Sequence, residues 1–413
     1  MKKILIISFD LIREDEPEKS LSTASLLAFL KHDKRHGADF FAYHLPINIL
    51  KFGNSIKEAD AFLSGFCLEK FDAVAISCYI WSEHLTNPLI ARLRERGFRK
   101  NVILGGPQIS YSEHIFEDYP DCQIFIRGYG EQSLLDAVLH ADTLSKPLVL
   151  SNNICFDSIP SVYATGEIEL AHGQKMARLE TKRGCPYRCS FCAHRDLGKN
   201  KIRHFPKERV FEELSILKEK SVRKINVLDP VFNTGHDYLD ILGEMRRMGL
   251  DSEISLQTRF ENINGEKGEA FLKLCSEMNV CLEFGVQTVV EEEYRAINRP
   301  NKVGRIKSLM RELNERNISY ETSLIYGLPN QTFDSFRRSV DFVTSNACEN
   351  VSAFPLMLLK GTELYAEKEK WDFREKKMGK FGIPLVVGSS SFDEDEWHCM
   401  KDLAEHLNPR VRV

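Results

Sequence analysis

ARLETKRGCPYRCSFCAHRD, residues 177–196, runs from an apolar strand straight into a loop with three cysteines. Cys185, Cys189 and Cys192 lie within eight residues, spaced C-x3-C-x2-C. Soft sulfur ligands at this density hold zinc or an iron–sulfur centre. A closed zinc site needs four ligands, usually as paired C-x2-4-C elements. His194 or His204 is available as a fourth, but no second cysteine pair follows in the right place. Iron–sulfur sites normally use four cysteines, so a cluster on three leaves one iron open to something else.

Outward from this loop the chain alternates strand and helix. Strands are expected at Ala177–Lys182, Lys224–Leu228, Ile254–Arg259, Cys281–Gln287, Tyr320–Tyr326 and Val351–Leu358. Helices are expected at Lys207–Lys220, Tyr238–Met248, Glu266–Met278, Gly304–Asn317 and Phe333–Asn346. In KERVFEELSILKEK, residues 207–220, Val210, Leu214 and Leu217 share one face, and Pro206 sits where a first turn accepts it. Six βα repeats make a partial barrel, and the cysteine loop leaves the carboxyl end of its first strand, where such folds collect their chemistry.

Upstream, strands are expected at Lys3–Phe9, Asp39–Leu45, Ala73–Tyr79, Val102–Gly106 and Gln123–Gly128. Helical patterns lie at Ser22–Lys31, Ile56–Leu68, Ser82–Arg96, Ser110–Asp118 and Glu131–His140. The unbroken apolar runs Val74–Ile76 and Val102–Leu104 belong to strands covered on both faces, which implies a doubly wound, flavodoxin-like parallel sheet. By that analogy the strand order is 2-1-3-4-5. The stretch from Ser145 to Gly173 is irregular and holds Pro147, Asn152, Asn153 and Pro160. The expected domains are therefore 1–145, a connector 146–174, a barrel 175–380, and a tail 381–413 that packs on the barrel.

At 413 residues the chain has room for two domains. A net charge of −4 argues for neither a nucleic-acid nor a membrane partner, and no apolar run is long enough to span a bilayer. MKKILIISFDLIRE starts like a signal peptide, but Asp10 and Arg13 interrupt it, so a buried strand and a cytoplasmic protein are expected. The cysteines number eleven, and a reducing compartment disfavours disulfides. Cys67, Cys78, Cys122, Cys275 and Cys281 read as small buried hydrophobes.

The cysteine loop closely resembles the signature of the radical S-adenosylmethionine superfamily, C-x3-C-x-aromatic-C, with Phe191 as the aromatic. The resemblance implies a 4Fe-4S cluster on Cys185, Cys189 and Cys192 whose open iron chelates S-adenosylmethionine. One electron then splits the sulfonium bond and yields a 5′-deoxyadenosyl radical. Further matches run down the barrel. Asp229 in NVLDPVFN resembles the family position near the methionyl amine; its bland alternative is a turn before Pro230. Arg259 in LQTRF resembles the basic residue that meets the carboxylate, with a surface salt bridge as the alternative. Gln287 in EFGVQT resembles a contact to ribose and carboxylate. Gly327 opens LIYGLPNQT, similar to the adenine turn G-L-P-G-E-T, with Asn330 and Gln331 in place of Gly and Glu. FPLMLLKGTELY, residues 354–365, matches the family's last strand segment.

The first domain resembles the cobalamin-binding domain that often precedes this barrel. The matches are SCYIWS (77–82), LGGPQIS (104–110), RGYGEQS (127–133) and IPSVYATGEI (159–168). The resemblance makes Ser77, Tyr79, Gly105, Gly106, Gln108, Gly128, Gly130 and Glu131 the candidate cobalamin contacts. No D-x-H-x-x-G motif offers a histidine to cobalt. Together the two resemblances imply a cobalamin-dependent radical S-adenosylmethionine enzyme, with methyl transfer to an unreactive carbon or phosphorus centre as the group's commonest chemistry. Its partners would be a small or peptide substrate, reaching the site between the two domains, and an electron donor such as flavodoxin or ferredoxin. The alternatives are a radical enzyme without bound cobalamin and a non-catalytic iron–sulfur or zinc regulator. His84, His194, His204 and His236 are acid–base candidates by residue type alone.

Overall fold

A computed structural model describes residues 2–32, 40–52, 56–140, 146–194, 199–348, 350–379 and 381–407. The chain folds as two compact units, residues 1–174 and 175–413.

The first unit is built on a six-stranded parallel sheet: β1 (Lys2–Asp10), β2 (Phe40–Asn48), β3 (Ala73–Ser77), β4 (Asn101–Gly105), β5 (Ile124–Ile126) and β6 (Leu148–Leu150). Their order is β2-β1-β3-β4-β5-β6. Val74, Val102, Ile124 and their neighbours are buried because helices cover both faces, which parallel crossovers require. The order reverses between β1 and β3, so a crevice opens at the carboxyl ends of those strands. Start residue Asp39 of the second expected strand lies outside the described residues, as does Ser145.

Three elements differ from the sequence expectation. The connector holds β6, which at three residues is too short to show periodicity. It is also tied to the first unit: buried Glu167 pairs with Lys19 at 3.1 Å and Lys31 at 2.6 Å. The expected helix Ser110–Asp118 is two single turns, Pro107–Ser110 and Ile115–Asp118. The helix from Ile56 stops at Leu63, before Ser64 and the poor helix former Gly65.

In the second unit β7 (Met176–Leu179) is followed by a two-stranded antiparallel pair, β8 (Lys182–Arg183) and β9 (Arg203–His204). Then come β10 (Lys224–Val227), β11 (Glu253–Thr258), β12 (Val280–Gln287), β13 (Ser319–Tyr326) and β14 (Asn350–Pro355). The sheet order β14-β13-β12-β11-β10-β7 is sequential and parallel, the partial (β/α)6 barrel. Along β12 burial alternates: Val280, Leu282, Phe284 and Val286 are buried, and the residues between them are half-buried. After β14 come a hairpin, β15 (Arg374–Met378) and β16 (Ile383–Gly388), and a helix, Glu394–Leu407. Val386 donates its amide to the Leu356 carbonyl at 3.0 Å, and buried Trp397 packs on Tyr326 with ring centroids 5.7 Å apart.

Gly106 occupies the left-handed region at φ +108°, where an added Cβ would lie 2.6 Å from the Cys78 carbonyl oxygen. Gly97 has φ +90° with open space around it. Gly106→Ala is expected to destabilise by about 2–4 kcal/mol, and Gly97→Ala by about 1 kcal/mol, since only the first adds a backbone clash to the strain. Urea unfolding of both variants checks the difference; equal midpoints would contradict it.

Candidate active site at the barrel mouth

The cysteine loop hangs from the β8–β9 pair. Gly184, at φ +85°, turns the chain out of β8 immediately before Cys185. Cys185 and Cys189 are buried and Cys192 is half-buried. The loop is stitched down by contacts distant in sequence. Ser190 donates its amide to the Ile297 carbonyl at 3.0 Å, and Leu364 donates its amide to the Ser190 carbonyl at 3.0 Å. Asn298 reaches the Arg188 carbonyl at 2.9 Å. Thr362 caps the short helix that presents Leu364. The G-T-E-L-Y segment thus braces the loop from the far end of the barrel.

Two guanidinium groups meet at one sulfur. Arg259 and Arg299 each point an Nη1 at Cys189 Sγ, both at 3.8 Å. Arg259 is buried, which removes its reading as a surface salt bridge. It lies 3.7 Å over the Tyr187 ring and pairs with Glu261 at 3.3 Å. Arg299 also donates to the Gly285 carbonyl. Burial pushes the Cys185 thiol up, with neighbouring Cys189 adding to the rise and the two arginines opposing it. Burial pushes Cys192 up to about 11. Burial thus disfavours the thiolate at Cys185 and Cys192, and a metal would have to take the place of their protons.

Asp229 is fully buried at the end of the second barrel strand. Its oxygens accept from the Thr181 amide at 2.8 Å, the Thr181 hydroxyl at 2.5 Å and the Lys182 amide at 3.2 Å. The Lys182 ammonium stands 3.8 Å away. In this conformation the carboxylate clamps the strand from which the cysteine loop departs. Gln287 sits at φ +67° beside a register shift in β12, and its side chain folds back over Gly285, where a Cβ would lie 2.2 Å from its Nε2. Gly327 is at φ +88° and donates its amide to Gln331 Oε1 at 2.7 Å. Phe191 is half-buried in the loop.

Arg299 was not singled out by sequence. It follows a short helix instead of ending a strand, and the signal for it is the polar-basic Asn298-Arg299-Pro300 step. His84 and His194 are exposed, whereas His204 and His236 come together with Asp237.

The candidate contacts of the first unit lie at the carboxyl ends of its strands. Ser77 Oγ accepts from the Phe9 amide at 3.3 Å. Tyr79 stacks on Trp81 with centroids 4.5 Å apart and meets Ser22 at 3.2 Å. Gln108 donates to Glu83 at 2.5 Å, and buried Glu131 accepts from Ser25 at 2.7 Å. Gly105 ends β4, Gly106 and Gly128 lie in the loops that follow β4 and β5, and Gly130 opens the helix Gly130–His140, with Gly106 packed on the Cys78 backbone.

Residues 179–343 match the model of the Radical SAM superfamily. The cobalamin-dependent radical SAM methyltransferase TokK of Streptomyces tokunonensis is 23% identical over 339 residues, covering 71% of this chain and 48% of that protein. The ribosomal protein uS12 methylthiotransferase RimO of Desulforamulus reducens is 23% identical over 288 residues, covering 66% of this chain and 63% of that protein. The chain spans about half the length of the carbapenam and TokK methyltransferases it matches. Among solved structures, the methyltransferase TsrM from Kitasatospora setae, with cobalamin and a 4Fe-4S cluster bound, shares the fold at TM-score 0.73 and 13% identity, covering 98% of this chain and 89% of that one. OxsB, with aqua-cobalamin and S-adenosylmethionine bound, shares it at TM-score 0.71 and 14% identity, covering 97% and 66%. The cysteine loop thus lies within the stretch that matches the Radical SAM superfamily, and the chain shares its fold, the N-terminal sheet included, with TsrM and OxsB over nearly its full length.

Proposed function

We propose that this chain is a cobalamin-dependent radical S-adenosylmethionine enzyme that methylates an unreactive carbon or phosphorus centre in a small or peptide substrate. The observation that carries the reading is the loop with three thiols, one of whose sulfurs is met by two buried guanidinium groups. The donor set fits a cluster better than a single zinc ion. A closed zinc site takes four ligands, usually from paired cysteine elements, whereas this loop offers three cysteines with no second pair in the right place. When bound, a 4Fe-4S cluster on Cys185, Cys189 and Cys192 would supply the electron that cleaves S-adenosylmethionine.

The chain's own residues set the conditions for that chemistry. Arg259 and Arg299 offset the charge of the deprotonated thiols. Asp229 and Lys182 fix the strand end that launches the loop. Phe191, Arg259, Gln287 and the turn at Gly327 are the residues we assign to S-adenosylmethionine, with Asp229 positioning the loop beside it. In the first unit, the glycine-bearing strand ends beside the topological switch are where such sheets receive a cofactor, which supports cobalamin there. The names of TokK and of the solved relatives support the same assignment. An electron donor such as flavodoxin or ferredoxin, the lack of a nucleic-acid partner and a cytoplasmic location belong to the proposal. All eleven cysteines are free thiols, as a reducing compartment favours. Among the described residues, no helix is long and apolar enough to cross a membrane.

Reconstituted anaerobically and reduced, the protein is expected to convert S-adenosylmethionine to 5′-deoxyadenosine. Cys189→Ala should lose iron by roughly tenfold or more while its far-UV spectrum changes little. Full iron content in that variant would sink the assignment. Protein prepared with cobalamin present should carry corrin absorbance near one equivalent; none at any useful affinity would leave the radical reading standing and remove cobalamin.

Arg299→Leu takes away one of two positive charges beside Cys189. At an effective dielectric near 20 this is worth about 1–3 kcal/mol, so the cluster's midpoint potential should fall by roughly 40–130 mV. Spectroscopic redox titration reads it, and an unchanged potential would show that the guanidinium does not act on the cluster.

A further inference from the structure

His204, His236 and Asp237 form a second group of ligand-type side chains, with one donor atom from each lying within 4.8 Å of the others. His204 ends β9, the strand that closes the cysteine loop. His236 and Asp237 follow β10, in the segment that begins with Asp229. Asp237 Oδ2 lies 3.2 Å from His204 Nδ1 and 3.2 Å from His236 Nε2. A tetrahedral ion with bonds of about 2.0–2.1 Å spaces its ligand atoms by roughly 3.3 Å, so two of the three spacings already suit one.

Three further features fit a ligand role. Asp237 stands at the N-cap of the helix Tyr238–Met248, where an aspartate normally accepts from the first turn, yet its side chain makes no cap hydrogen bond. Its carboxylate turns to the imidazoles instead. The His204 and His236 rings lie together, with centroids 4.2 Å apart, so both imidazoles stand beside that carboxylate. Gly235, at φ +85°, brings the backbone so close to His204 that a Cβ would lie 2.6 Å from its Cε1. The nearby Lys182 ammonium is engaged by the Phe232 and Thr234 carbonyls at 2.6 and 2.7 Å, with Asp229 as counter-charge.

We propose that His204, His236 and Asp237 bind one divalent first-row transition ion of the zinc class, with the remaining position open to water. Two imidazoles and one carboxylate are a donor set that zinc accepts. The ion would join β9 to the segment after β10 and so pin the base of the cysteine loop. The site stands on its own residues and does not depend on the reaction at the cysteines.

The test is a zinc titration of cluster-loaded protein under anaerobic conditions, with bound zinc and iron counted after desalting. One zinc per chain beyond the iron is expected. His236→Ala changes an exposed side chain, and should weaken zinc binding roughly 100-fold with iron and far-UV spectrum unchanged. Asp237→Asn should do the same. Protein with Cys185, Cys189 and Cys192 all changed to Ser should still bind zinc, and His236→Ala in that background should abolish it. The proposal is overturned if wild-type protein retains no zinc. It is equally overturned if both single variants retain it like wild type, the zinc then residing on the cysteines.

Discussion

Three thiols gathered in a buried loop become three negative charges once they take up metal, and burial makes unpaired charge expensive. The barrel meets this with Arg259 and Arg299, which approach the same sulfur from different directions. Each guanidinium is itself fixed. Arg259 is stacked on Tyr187 and its backbone is held by Asn233, which accepts its amide at 3.0 Å and donates to its carbonyl at 2.9 Å. Arg299 is anchored on the Gly285 carbonyl, in the strand that also carries Gln287. The geometry of β11 and β12 is in this way transmitted to the cysteine loop through charge-assisted contacts.

Beneath that layer lies the Asp229–Lys182 pair. Burial acts against both charges, raising the carboxyl and lowering the ammonium, so the pair persists because the surrounding groups satisfy it. Thr181 and the Lys182 amide serve the carboxylate, and the Phe232 and Thr234 carbonyls serve the ammonium. Removing one partner of such a pair typically costs about 3–5 kcal/mol, because the other is left buried and uncompensated. The same contacts tie β8 to the segment after β10, which leads on to His236 and Asp237. One short stretch of chain therefore serves both groups of ligands.

The legible parts of this structure are those whose signal is local. The cysteine spacing, the helix face of Val210, Leu214 and Leu217, and the apolar runs of β3 and β4 can each be read within a dozen residues. The sheet order followed from fold analogy and matched for five strands. β6 was hidden because three residues carry no periodicity and Pro147 and Asn152 flank them. Residues brought together by topology were the least legible. Arg299 is separated from Cys189 by 110 positions, and nothing near it in sequence announces a sulfur partner. His204 was readable as a spare ligand for the cysteines, but its actual neighbours lie across a helix and a strand, in a loop with no motif of its own.

The turn LIYGLPNQT shows why a departure from a family pattern need not mean a lost feature. Gln331 Oε1 accepts the amides of Gly327 at 2.7 Å and Leu328 at 3.2 Å, a task a carboxylate oxygen would also perform. Its Nε2 donates to Glu293 at 3.1 Å. Glu293 is buried, accepts from Thr288 at 2.6 Å, and is raised chiefly by desolvation. A glutamate at 331 would set two carboxylates against each other at this buried contact, which favours a proton on one of them. The amide keeps the acceptor that shapes the turn and adds the donor that Glu293 requires. Gln331 and Glu293 are thus one solution to a single electrostatic constraint, and the turn at Gly327 keeps its form because of it.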